Sequence, residues 1–243
     1  MSARFEELDW RKTRLGEISL RRRWDPTFDK EVYEVKLDDD FLMSSLFTVA
    51  EIELTELALA ELPADGLDVV VGGLGLGYTA QAVLDSPRAR SLLIVEALGE
   101  VIEWHQTGLI PTGKTLTADP RCRYVHGDFF AMAASAEGFD PETPARQFHA
   151  VILDVDHSPR HVLHPSHSPF YDPAGTQRLA GHLHPGGIFA LWSNDPPDDE
   201  YLAVLGGVFT EVRADVVSFD NPLQGRDSTN TVYLGRKPRD RQP

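Results

Sequence analysis

The chain has 243 residues, a formal net charge of −15 and 42% hydrophobic residues. That length fits one α/β domain with an appendage, and the apolar content is normal for a globular protein with a sizeable core. The negative charge argues against non-specific binding to nucleic acid or to an anionic membrane, both of which favour basic surfaces, and it is compatible with a cationic substrate.

The single cysteine, Cys122, cannot form an internal disulfide and leaves no cysteine-cluster metal site. It fits a reducing compartment. Arg121 and Arg123 flank it and would lower a thiol's pKa; the plainer reading is a half-buried strand residue. The first residues lack the apolar core of a signal peptide, and no apolar run approaches the roughly 18 residues of a membrane span. The expectation is a cytoplasmic protein without a membrane or nucleic-acid partner.

In chain order, residues 1–14 are polar and read as poorly ordered. Leu15, Ile18 and Leu20 suggest a strand, Trp24-Asp25-Pro26 a turn, and Val32, Tyr33, Val35 and Leu37 a second strand, together a β-hairpin or small sheet. Residues 41–45 are a link or short strand. A helix follows over 48–62, its apolar face carried by Ile52, Leu54, Leu57, Ala58, Leu59 and Leu62, and Pro63 stops it.

From Leu67 strands and helices alternate. Strands are expected at 68–72, 91–96, 122–126, 150–154 and 188–192, with helices near 77–85, 99–107, 129–136, 173–184 and 198–206. Residues 108–120 and 137–147 read as loops, and 155–170 as a segment rich in His, Pro and Ser. Two strands at 211–219 and 229–235, antiparallel to each other, close the fold, and 236–243 is a loose tail. The alternation predicts an α/β, Rossmann-like, seven-stranded doubly wound sheet behind a small N-terminal β segment. The boundary falls between 1–62 and 63–243.

Ligands in such sheets bind beyond the carboxyl ends of the strands. The first strand ends in Gly72-Gly73-Leu74-Gly75-Leu76-Gly77, where missing side chains would let a nucleotide approach the backbone. The second ends in Glu96, 19 residues after Gly77, placed to accept from both hydroxyls of a ribose. The third delivers Gly127-Asp128, with Asp128 as a candidate for an adenine amino group. The fourth delivers Asp154, with Asp156 beside it. Each acid has a plainer alternative as a helix cap or loop residue. The dinucleotide fingerprint fits poorly, because its third small residue falls on Tyr78.

Gly73-x-Gly75-x-Gly77, an acid at the second strand end and Gly-Asp after the third resemble class I S-adenosylmethionine-dependent transferases. Val95-Glu96, Val101-Ile102-Glu103, Gly127-Asp128 and Val151-Ile152-Leu153-Asp154 look more narrowly like the spermidine synthase family, over roughly residues 15–235. The resemblance implies S-adenosylmethionine or its decarboxylated form as the bound nucleoside, with Gly72, Gly73, Gly75, Gly77, Glu96 and Asp128 holding it. It implies Asp154 as the base that helps deprotonate an attacking amine, with Asp156 as the second acid, and a small amine-type acceptor. It also implies a homodimer, with the N-terminal strands as candidates for its interface.

The departures lie on the acceptor side. The family's glycine loop carries an aspartate where this chain has Leu76 or its neighbour. Its Asp-Ser-Ser/Thr-Asp-Pro becomes Asp154-Val155-Asp156-His157-Ser158-Pro159, so the second acid is shifted or replaced by His157. Its Tyr-His/Gln-Glu segment survives at best as Val49-Ala50-Glu51. Glu51, His157 and Tyr171 are the candidate acceptor contacts, and Asn194-Asp195-Pro196-Pro197 either lines the same pocket or forms a plain turn. The histidines at 157, 161, 164 and 167 have ligand-like spacing, but Pro159, Pro165 and Pro169 oppose a continuous helix, so the expectation is an active-site loop and no metal. Methyl transfer or aminopropyl transfer is the leading reading. A non-catalytic binding or scaffold relative and an NAD(P)-dependent oxidoreductase are the alternatives.

Overall fold

The computed structural model describes residues 5–239. The N-terminal part is a four-stranded antiparallel sheet of β1 (Phe5–Thr13), β2 (Gly16–Asp25), β3 (Lys30–Leu37) and β4 (Asp40–Ser44), paired in that order. The stretch read as poorly ordered is thus a nine-residue strand from Phe5 onward. Its outward acids pair with the arginines of β2, Glu6 with Arg22 and Glu7 with Arg21. Trp104 donates its indole N–H to Asp9 across 2.7 Å and fixes β1 to the body of the protein.

Helix α1 (Val49–Ala60) follows and packs on the larger sheet, against α2 (Tyr78–Asp85), which it meets through a 3.0 Å bond from the Thr55 hydroxyl to the Thr79 carbonyl. The larger sheet has seven strands in the order β10-β11-β9-β8-β5-β6-β7. Its parallel centre is β8 (Phe148–Leu153), β5 (Leu67–Gly72), β6 (Ala89–Glu96) and β7 (Cys122–His126), with β9 (Leu183–Ser193) parallel to β8. β10 (Thr210–Phe219) and β11 (Ser228–Arg236) add an antiparallel edge. All six residues of β5 are buried, as expected where helices cover both faces of a parallel sheet. One apolar cluster runs from Ile18, Leu20 and Val35 through Leu54 to Val69, Val71 and Ile94, so the small sheet and the large one share a core.

Helices α3 (Gly99–Gln106), α5 (Phe129–Ala134), α6 (Pro173–Gly181) and α7 (Asp199–Gly206) fall where the periodicity puts them. Two further elements differ from the sequence reading. The 108–120 loop contains a short helix, α4 (Gly113–Ala118), seated under the glycine turn. β9 starts at Leu183 rather than 188. The Pro185-Gly186-Gly187 turn is absorbed as an irregularity in its pairing with β8, and Lys237 N–H donates to Gly187 from the far side.

Candidate functional site

The strand ends of the large sheet and the inner face of the small one enclose a cavity of about 570 Å³. Gly73 and Gly75 form part of its floor. A Cβ at Gly73 (φ +92°) would collide with the carbonyl oxygen of Asp154, and one at Gly75 (φ +46°) with the sulfur of Met43. Glycine is therefore required by backbone conformation and by space at both positions. Met43 comes from β4, and its sulfur accepts from the Leu76 amide at 2.9 Å. Gly72 and Gly77 lie one layer behind. A Cβ on Gly72 would strike the Phe129 ring, and Gly77 caps α2 over His105, Leu116 and Thr112. Those two glycines are packing positions; neither lines the cavity.

Glu96 ends β6 against the same turn. One carboxylate oxygen accepts from Leu74 N (2.9 Å), the other from Leu98 N (2.8 Å). Burial raises its pKa, opposed by those amides. Each oxygen keeps a further lone pair for a ligand hydroxyl. Asp128 lines the cavity too, while one of its oxygens caps α5 by accepting from Phe130 N and Ala131 N. Val95, Leu98, Val101 and Phe129 supply an apolar wall beside these acids. Paired acceptors next to an apolar slot and a side-chain-free turn fit an adenosine moiety.

Asp154 and Glu51 line the same cavity. Asp154 follows β8, and its Oδ2 accepts from the Thr79 hydroxyl at 2.7 Å. Burial raises its pKa, with the Thr79 bond opposing. Glu51, in the first turn of α1, is pushed up to about 8 by burial and then by the Asp154 charge. Burial and the neighbouring Asp154 charge both favour a proton on Glu51.

Asp156 is placed differently from the sequence expectation. It is 1% exposed and does not line the cavity. Its Oδ1 accepts from Leu163 N (2.7 Å) and pairs with His167 Nδ1 (2.8 Å), and its Oδ2 accepts from the Tyr171 hydroxyl (2.8 Å). Tyr171 is buried with it and also stays off the cavity wall. The two residues hold the 157–170 segment from beneath instead of meeting a ligand. His157 does line the cavity, as do His164 and His167, whereas His161 turns outward onto Asp195 at 2.7 Å. Among the described residues no three His, Cys, Asp or Glu side chains come together as a metal site. Asn194 reaches the cavity wall, and Asn230 donates to it at 3.2 Å.

Several lining residues had no signal in the sequence. Met43, Trp192, Arg14 and the Asn221–Asn230 segment reach the site only through long-range packing. Thr79 is the buried partner of Asp154, and its place in the first turn of α2 was the single available cue.

The sequence matches no family model. The structure is similar to a spermidine synthase in complex with the transition-state analogue AdoDATO (TM-score 0.72, 16% identity, 96% of this chain and 74% of that one). It is also similar to spermidine synthase from Thermotoga maritima (0.69, 16%, 96% and 73%) and to a probable spermidine synthase from Corynebacterium glutamicum (0.63, 17%, 95% and 79%). The cavity described above thus sits in an α/β chain whose fold is that of the spermidine synthases.

Proposed function

We propose that this chain is a transferase that binds S-adenosylmethionine or its decarboxylated form and passes an alkyl group to an amine-type acceptor. The observation that carries the reading is the convergence of Glu96 and Asp154 on one cavity around Gly73 and Gly75. In this reading Glu96 accepts from the ribose hydroxyls, Asp128 from the adenine amino group, and Leu98 and Val101 flank the ring. The donor supplies a carbon activated by a sulfonium. Asp154 and Glu51 hold the acceptor's ammonium, and Asp154 is the candidate base. His157 is a candidate acceptor contact at the wall.

Methyl transfer is favoured over aminopropyl transfer by Leu76. It or its neighbour stands in the glycine turn where the resembling family carries an acid, and Leu76 is 1% exposed. No carboxylate of that turn is available for an aminopropyl ammonium. Trp10 and Trp24, both exposed on the N-terminal sheet, support a homodimer through that sheet. Sedimentation of the purified chain tests this. No helix among the described residues is long and apolar enough to cross a membrane.

Titration calorimetry with S-adenosylmethionine, decarboxylated S-adenosylmethionine and methylthioadenosine tests the reading, followed by labelled methyl and aminopropyl donors across a panel of amines. Binding of at least one of the three is expected, and silence with all three defeats it. Donor binding without any turnover would leave a binding protein on the same fold.

A further inference from the structure

The His-rich segment adds a second titratable centre to the cavity. His167 stands on the wall with its side chain 14% exposed, and its ring is stacked on Phe130 at 3.8 Å between centroids and 16° between planes. Its Nδ1 lies 2.8 Å from Oδ1 of Asp156, whose side chain is fully buried and also takes the Leu163 amide and the Tyr171 hydroxyl. A carboxylate only accepts, so this contact requires the proton on Nδ1. In the neutral ring the lone pair is then on Nε2, which has no hydrogen-bond partner among the described residues and is not among their buried unpartnered atoms. Stacking and the Asp156 bond hold the ring in one orientation. This is a base oriented by a third group, in the same cavity as Asp154.

The geometry points to His167, in place of Asp154, as the proton acceptor for the attacking nucleophile, with Asp156 as its positioning residue; Asp154, the candidate base of the reading above, is left to hold the cation. This rests on the transferase reading above. Protonating Asp154 would remove the charge that retains an ammonium; a neutral imidazole takes the proton without that loss. In the step, the acceptor's ammonium gives one proton to Nε2. The freed nitrogen pair forms the bond to the carbon beside sulfur, and the carbon–sulfur bond breaks with its electrons staying on sulfur, which leaves as a neutral thioether. The imidazolium formed is stabilised by the Asp156 carboxylate.

The test compares His167→Ala, His167→Gly and Asp154→Asn with the parent chain, using an amine that the parent turns over. Both His167 variants should lose about 10²- to 10⁴-fold in kcat. Their donor affinity by calorimetry should stay within about twofold, and added imidazole should restore turnover in proportion to its concentration. Asp154→Asn should act mainly through the KM of the amine. A kcat within about threefold of the parent in the His167 variants, or a loss that imidazole leaves untouched in both, overturns the proposal. A parent chain that consumes neither donor defeats the transferase reading instead. The dyad then stands or falls on nitrogen NMR of the His167 ring in alkaline buffer. A proton on Nδ1 that shifts to a tautomer mixture in Asp156→Asn sustains it, and a parent ring protonated on Nε2 overturns it.

Discussion

The hydroxyl of Thr79 donates to Oδ2 of Asp154 across 2.7 Å, joining the first turn of α2 to the end of β8 beneath the cavity. Thr79→Val leaves that buried oxygen without its donor, an unsatisfied group that costs about 1–3 kcal/mol. A chain of this size loses about 2–4 °C in Tm per kcal/mol, so a fall of roughly 2–12 °C is expected in a thermal melt. Thr79→Ser keeps the hydroxyl and should recover most of it. Equal melting of the valine and serine variants would contradict the assignment.

Glu51 gives the protein a pH dependence with a defined sign. Its pKa in the fold is raised to about 8 by burial and by Asp154, above the roughly 4.3 of an unfolded glutamate. Between those values the folded state holds a proton that the unfolded state has released. The Glu51 contribution to stability is therefore full below about pH 4.3, falls as pH rises, and levels off above 8. Glu51→Gln removes the dependence. Its Tm relative to the parent should be higher at pH 9 than at pH 5, by at least about 3 °C. A difference that is flat with pH contradicts the raised carboxyl.

Gly75 and Met43 must vary together. Gly75→Ala places a methyl against the Met43 sulfur and also puts alanine at φ +46°. The left-handed conformation alone costs about 1–2 kcal/mol. Adding Met43→Ala removes the collision but not the backbone strain, so the double variant should regain part of the lost urea midpoint. If it is less stable than the sum of the two single changes, the contact is not the cause.

Glu96→Ala removes the acceptor of the Leu74 and Leu98 amides together with the proposed ribose contact. Hydrogen bonds to a charged group contribute about 1.5–3 kcal/mol, which corresponds to a roughly 10- to 150-fold weaker Kd for S-adenosylmethionine by calorimetry. A change under about threefold would remove Glu96 from the nucleoside site.

Cys122 should react slowly in the folded chain. Burial pushes its thiol up to about 12, and the neighbouring Arg121 guanidinium is committed to Asp119 and to the carbonyls of Leu84, Ser86 and Ala89. A disulfide reagent at pH 8 should leave the native chain unlabelled on a timescale that fully labels it in denaturant.

The parallel strands were legible because each is a short, nearly continuous apolar run, and burial on both faces requires that pattern. Their ends then located Glu96, Asp128 and Asp154 without any tertiary information. β1 was not legible because its order comes from arginines on β2 and from Trp104, not from an apolar period of its own. α4 was hidden by Pro111 and Gly113, and β9 by a Pro-Gly-Gly turn that the strand accommodates. At the site, adjacency in sequence misled: Asp156 lies two residues from Asp154 yet faces inward onto Tyr171 and His167. Continued alternation would put residues two apart on one face, but the strand ends at Leu153 and the chain bends at Asp156, so spacing alone does not say which acid meets the cavity.

The strand order has a consequence for assembly. β10 hydrogen-bonds only to β11, and it is β11 that joins the sheet through β9. β10 is synthesised first but has no place in the sheet until the last strand has left the ribosome. The segment from Asn221 to Asn230 that walls the cavity lies in the connection between them and into β11. The pocket therefore closes last, and removing the final strand detaches two strands and a wall rather than one.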